Sequence, residues 1–197
     1  MSIVIHSSDV ELSIAAVRAL RCSSKVACWN GQKIPHPFSW AIAVDPESLW
    51  FACSLPGGRA CGASQERGAF IEGLWSGDVA ELFIKGVDGR YQELNLAPSG
   101  AWWSMTLSEY RKRESRPQRP QLVDIISTVG DNRWEVVAAF KRRTLDVDLH
   151  ESSQVHVSGM WYHPDPTFLS SHPVPGLEPD YHHGECFKEV SFVRIPG

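Results

Sequence analysis

The stretch LWSGDVAELFIKGVDGRYQELNLAPSGAWW, Leu74 to Trp103, constrains the fold more than any other. Two runs of strand-forming residues, Val79 to Lys85 and Arg90 to Ala97, flank the Gly-bounded reversal Gly86 to Gly89, and a Pro-Ser-Gly turn then leads into Trp102 and Trp103. This pattern is a hairpin. In an unbulged hairpin closed at Lys85 and Arg90, Glu81 and Phe83 share a face with Gln92 and Leu94, and Leu82 and Ile84 share the other with Tyr91, Glu93 and Asn95. Both faces are then mixed, whereas a strand with one solvated face alternates cleanly, so both sides are expected to meet protein or ligand.

The rest of the chain follows the same rhythm. Val10 to Leu20 reads as strand or short helix, and Lys25 to Trp29 is an apolar run before the Asn30-Gly31 turn. A strand beginning near Phe38 ends at Asp45-Pro46, and Leu49 to Leu55 follows as another. After a Gly-rich loop and the organising hairpin, a basic loop is expected over 111–121, where Pro117 and Pro120 prevent a long helix. Leu122 to Val129 and Arg133 to Phe140 make a second hairpin, Thr144 to His150 a single helical turn, and Gln154 to Tyr162 a strand. The segment 163–185 carries Pro164, Pro166, Pro173, Pro175 and Pro179; so long a connection in a compact domain reads as functional or as a lid. Phe187 to Ile195 is the last strand. Short strands, Gly/Pro/Asn turns and almost no helical periodicity predict an all-β chain, a single-domain antiparallel β-sandwich over 1–197.

A length of 197 residues suits one core, burying about 70% of the extended surface. The net charge of −4 gives no global field toward nucleic acid or an anionic membrane, and neither is an expected partner. Cys22, Cys28, Cys53, Cys61 and Cys186 are odd in number and show no CxxC spacing. With no signal-peptide pattern and no long apolar run, the expected location is the cytoplasm, with reduced thiols.

Aromatic faces beside carboxylates and amides are what sugar recognition needs, because a pyranose has an apolar C–H face and a fringe of hydroxyls. Trp29, Trp40, Trp50 and Trp134 lie in apolar strand patterns and are expected in the core. Trp75 stands at a turn where its ring can project, and Glu81 is the adjacent carboxylate candidate. A second aromatic platform falls to Trp161 or Tyr162, and Gln92, Glu93 and Asn95 can supply hydrogen bonds. Adjacent Trp102 and Trp103 point to opposite faces, one in and one out. Asp78, Glu81 and Glu93 also admit a glycosidase-type acid/base pair, but no nucleophile elbow, P-loop or GxGxxG favours another reaction. His150, His156, His163, His172, His182 and His183 show no zinc spacing and read as ordinary polar residues, so no metal site is expected.

Three separated motifs, LWSGDVAELF, YQELNLAPSGAWW and DYHHGECFKEVSF, occur in an order that resembles DOMON-like domains related to family 9 carbohydrate-binding modules, from about Phe38 to Val193. The resemblance implies a β-sandwich in which Trp75 stacks on a sugar and Glu81 accepts hydrogen bonds from its hydroxyls. Tyr110-Arg111 matches a Tyr-Arg pair of the family, and His182 is expected to hydrogen-bond backbone. The implied function is non-catalytic binding of a small saccharide or sugar-containing metabolite, without a cofactor. The alternatives are an interaction or structural module with a protein partner, and a haem-binding domain; Met105, Met160 and the histidines supply haem-ligand types but no motif pairs them. Relatives that bind calcium offer no ligand motif that carries over.

Overall fold

The alternating segments pair into one path of strands that curls over on itself. A computed structural model describes residues 2–20, 27–31, 38–56, 66–162 and 166–195. In chain order the elements are β1 (Ile3–Ser7), helix α1 (Ile14–Ala19), β2 (Ala27–Cys28), β3 (Ser39–Val44), β4 (Ser48–Pro56), β5 (Val79–Lys85), β6 (Tyr91–Leu96), β7 (Trp102–Glu109), β8 (Lys112–Arg113), β9 (Leu122–Val129), β10 (Arg133–Lys141), β11 (Gln154–Trp161), β12 (Thr167–Ser170) and β13 (Lys188–Arg194). The ambiguous Val10 to Leu20 stretch contains α1, capped at Ser13, whose Oγ accepts the Ala16 N–H at 3.2 Å. The helical turn expected over 144–150 sits earlier, as a 3₁₀ turn at Arg142–Thr144.

Neighbours along the path run β8-β7-β6-β5-β11-β13-β1-β3-β4-β10-β9, with β12 pairing β11 and β2. Lys188 and Glu189 of β13 pair with β11, while Val190 to Arg194 pair with β1, so this strand joins the two halves. The all-antiparallel expectation needs correcting here, because β1 runs parallel to both β13 and β3. Parallel neighbours need long crossovers: β1 and β13 come from opposite ends of the described chain, and α1 lies between β1 and β3. Pairing between chain ends leaves no local sequence signal.

The hairpin register also differs from the even-loop expectation. Gly89 N–H donates to Gly86 C=O at 3.1 Å, Gly89 takes φ +86°, and Gly86 N–H donates to Arg90 C=O at 2.9 Å, so the loop is one residue shorter than assumed. A turn followed by a left-handed glycine is a standard three-residue hairpin loop. Lys85 therefore pairs with Tyr91 rather than Arg90, and Glu81 and Phe83 share their face with Tyr91, Glu93 and Asn95. A one-residue slip exchanges the faces of a whole strand.

Both faces of this sheet are buried, as the mixed pattern implied. Inside the curl, Ile5, Ile42, Phe51 and Leu55 of one half pack with Leu82, Ile84, Leu94, Trp102, Val155 and Val157 of the other. On the opposite face of β5, β6, β7 and β11 a second cluster gathers Phe83, Tyr91, Trp103, Met105 and Met160 beneath Tyr181, Cys186 and Phe187. A third lies under α1, where Val17 meets Ala43, Trp50 and Val137. Trp40, Trp50 and Trp134 are core residues as expected, and Trp29 is partly buried against the second cluster. The one-in, one-out reading of Trp102 and Trp103 becomes one in each cluster, because the outer face is covered by protein.

Candidate functional site

The register of the central strands builds a cavity from the outside of the sheet. Glu81 lies opposite Asn95 of β6 and Ser158 of β11, Phe83 opposite Glu93, and Glu93 opposite Met105 of β7. Glu81, Phe83, Glu93, Met105, Leu107 and Met160 form part of the lining of a cavity of about 300 Å³, at the lower end of small-molecule sites. Trp75 comes from the 3₁₀ turn Leu74–Ser76, Arg111 and Arg113 from the β7–β8 hairpin, Phe168 from β12, and Pro179, Tyr181 and His182 from the segment before β13.

That last segment is tied down by the Tyr110-Arg111 pair. Tyr110 Oη donates to Asp180 Oδ2 at 2.5 Å, Arg111 Nη2 donates to Asp180 Oδ1 at 3.1 Å, and the His182 N–H donates to Oδ1 at 3.1 Å. Burial acts to raise the Asp180 pKa, but these hydrogen bonds and the Arg111 charge outweigh it and hold the carboxyl below its ordinary value. Arg111 adopts φ 54°, and its N–H donates to Tyr91 Oη at 3.1 Å.

The floor is unusual in its electrostatics. Glu81 and Glu93 are 3% and 4% exposed. Burial first, then repulsion from Glu93, pushes the Glu81 pKa up to about 8, against the hydrogen bond that Ser158 Oγ donates to Oε2 at 2.8 Å. Burial likewise raises Glu93 to about 7, although Asn95 Nδ2 donates to its Oε1 at 2.9 Å and Arg113 and Arg111 oppose the shift. At neutral pH Glu81 is mostly a neutral acid, able to donate as well as accept.

The sequence candidates separate into lining and support. Trp75 and Glu81 line the cavity, and Trp103 lies beside Trp75 with ring centroids 5.0 Å apart. Tyr162 holds the Trp75 turn, donating its hydroxyl to Trp75 C=O at 3.0 Å while its N–H donates to Asp78 Oδ1 at 2.9 Å. Asn95 acts through Glu93. Gln92 faces the other way: Oε1 accepts from Asp146 N–H at 3.0 Å and Val147 N–H at 3.2 Å, and Nε2 donates to Ser104 Oγ at 3.0 Å. Trp161 pairs with Thr167 of β12 outside the cavity lining. Tyr181 and Arg113 were not site candidates in the sequence, and Met105 was one only as a haem-ligand type; the alternation Trp103, Met105, Leu107 along β7 is the signal that places it on the cavity face. His182 does not bond backbone through its ring as expected; Nδ1 lies 3.0 Å from Tyr91 Oη, because the corrected register turns Tyr91 toward it. Met160 and Met105 both line the cavity, and among the described residues no group of three or more His, Cys, Asp or Glu could hold a metal ion.

The basic cluster expected as a loop over 111–121 includes β8, and its charged side chains stay exposed, several of them in surface contacts. Arg113 Nη1 lies 2.5 Å from Glu72 Oε1, Lys112 Nζ 2.8 Å from Glu109 Oε1, and the Arg119 guanidinium sits 4.2 Å from the Phe70 ring centre. No helix of the described residues is long and apolar enough to cross a membrane.

Comparison with known proteins adds to this geometry. No protein-family model matches, and a search of curated proteins finds no match. Among solved structures, a Bacteroides uniformis protein provisionally described as carbohydrate-binding aligns with a TM-score of 0.72 at 15% identity, over 98% of this chain and 99% of that one. A family 9 carbohydrate-binding module from Caldicellulosiruptor kristjanssonii, solved with cellotriose, aligns with a TM-score of 0.57 at 8% identity, over 98% and 95%. The chain is similar to both in fold. These identities carry the architecture, while the chemistry of the cavity rests on its own residues.

Proposed function

We propose that this chain binds a small saccharide or sugar-containing metabolite in the cavity beneath Trp75, without catalysing its conversion. The observation that carries the reading is the juxtaposition of the Trp75 indole with the two buried carboxyls Glu81 and Glu93 in the lining of one cavity. A ring face covers the apolar side of a pyranose, and a neutral acid both donates to and accepts from hydroxyls. The fold likeness to a provisionally described carbohydrate binder and to a module solved with cellotriose supports the same class of ligand. With about 1 kcal/mol net per hydrogen bond and one aromatic contact, dissociation constants of roughly millimolar to micromolar are expected. The motif resemblance to DOMON-like domains and a cytoplasmic setting belong to this proposal; Cys186 is a buried free thiol.

Glycosidase chemistry is less well supported. Such sites push two carboxyls apart in pKa, one acid and one ionised partner. Here burial raises both. Isothermal calorimetry against mono- and disaccharides, with Trp75→Ala as control, tests the proposal. Saturable heat that the variant loses is the expected result. Silence across the panel from folded protein overturns it and favours a protein-interaction module.

A further inference from the structure

The cavity floor carries acid groups that the protein leaves without a committed cation. Glu81 is met by the Ser158 hydroxyl and Glu93 by the Asn95 amide, and Glu93 Oε2 has no hydrogen-bond partner. Independently, the Tyr181 hydroxyl has no partner, although Tyr181 is 6% exposed and lines the same cavity. The neighbouring charges answer this need only in part, since Arg113 and Arg111 oppose the raised Glu93 pKa without cancelling it. Arg111 and Arg113 pair with Asp180 and Glu72 and have side chains 55% and 53% exposed, so they belong to the mouth. His182 Nε2 stands 3.9 Å from Glu93 Oε2, but burial and Arg111 hold its imidazole neutral, down to about 4. From β11, His156 is likewise kept neutral by burial, and the remaining nearby acid, Asp78, adds no positive charge. Of the two glutamates, Glu81 is the one that burial keeps mostly protonated at neutral pH until a cation arrives. In the same lining, Trp75, Phe83 and Phe168 supply ring surfaces of the kind that attract ammonium groups.

We propose that the ligand carries a protonated amine, making it an amino sugar rather than a neutral one, with its ammonium group against Glu81, Glu93 and the Tyr181 hydroxyl. This deepens the saccharide reading and rests on it. The ammonium enters already charged, the Glu81 O–H bond breaks, its proton leaves to buffer, and the resulting carboxylate accepts an N–H from the ligand.

Calorimetry on the full chain at pH 6.5, in two buffers of different ionisation enthalpy, tests this with glucosamine, glucose, N-acetylglucosamine, glucuronic acid and cyclohexylamine as probes. Glucosamine is expected to bind about tenfold tighter than glucose or N-acetylglucosamine, with release of a proton to buffer. In Glu81→Gln, verified folded by its melting curve, the glucosamine-to-glucose ratio should fall toward one; Glu93→Gln is the second variant if the first does not fold. Equal or tighter binding of glucose or glucuronic acid, or absence of proton release, overturns the amine inference and leaves saccharide binding standing. Binding of cyclohexylamine with no response to any sugar overturns the saccharide reading and the amino-sugar identity together. Silence from all probes overturns both as well.

Discussion

At the residue scale, the buried carboxyls give this protein a distinctive pH response. Glu81 has a folded pKa of about 8, raised by burial above its unfolded value, so its contribution is fully present below the unfolded pKa and is lost as pH rises through about 8. His172 and His182 are depressed to about 4, chiefly by burial, so their contribution is present above the unfolded value and is lost as pH falls through about 4. Above the ordinary histidine range only the acid effect operates, and thermal melts from pH 6.5 to 9 are expected to show falling stability. Glu81→Gln should flatten part of that fall, on the order of 2 kcal/mol. Trp103→Ala removes the ring beside Trp75 from the second cluster, and chemical denaturation is expected to show a loss of about 3–5 kcal/mol. Residue types such as Trp75 and Glu81 were legible as candidates in the sequence. Their partners were not, because Trp103 reaches the Trp75 turn from β7 and Ser158 reaches Glu81 across the β5–β11 pair.

At the element scale, two contacts fix the cavity walls. Gly159 of β11 stands where a Cβ would meet Leu55 Cδ2 at 2.7 Å and Val79 C=O at 3.2 Å, so β11 packs closely against β4. Gly159→Ala is expected to destabilise by about 1–3 kcal/mol in urea titration, through overpacking. On the other wall, Asp180 fastens the segment carrying Tyr181 and His182 to the β7–β8 hairpin. Asp180→Ala should speed amide exchange over 180–187 and cost about 1–3 kcal/mol, since hydrogen bonds from Tyr110 and Arg111 are lost together. The sequence placed the β5 and β9 strands at their observed bounds, because alternation and turn residues act locally. It misassigned the hairpin faces because one loop residue decides them.

At the scale of the whole molecule, β1 links the two halves of an open strand path. It joins β13 to β3 through parallel pairing at the centre of the strand path, and Ile5 is fully buried in the main core. Ile5→Ala is expected to lower global stability by about 2–5 kcal/mol, read by the denaturation midpoint, with no ligand contact altered. Curling the sheet this way leaves β5 and β6 covered on both sides, and the cavity forms where the outer cover meets Glu81 and Glu93 without filling the space between.

The sequence alone determined an all-β chain, the positions of most strands, and the concentration of aromatic and acid groups between Leu74 and Trp103. Those properties follow from side-chain alternation and turn chemistry, which operate over a few residues. Only the tertiary structure decided that β1 joins β13 and β3 in parallel, that Glu81 and Glu93 share a face, and that Tyr181 and His182 come down over them. Each of these depends on strand register or on pairing between distant segments, where the balance of burial across the whole core, rather than local preference, selects the arrangement.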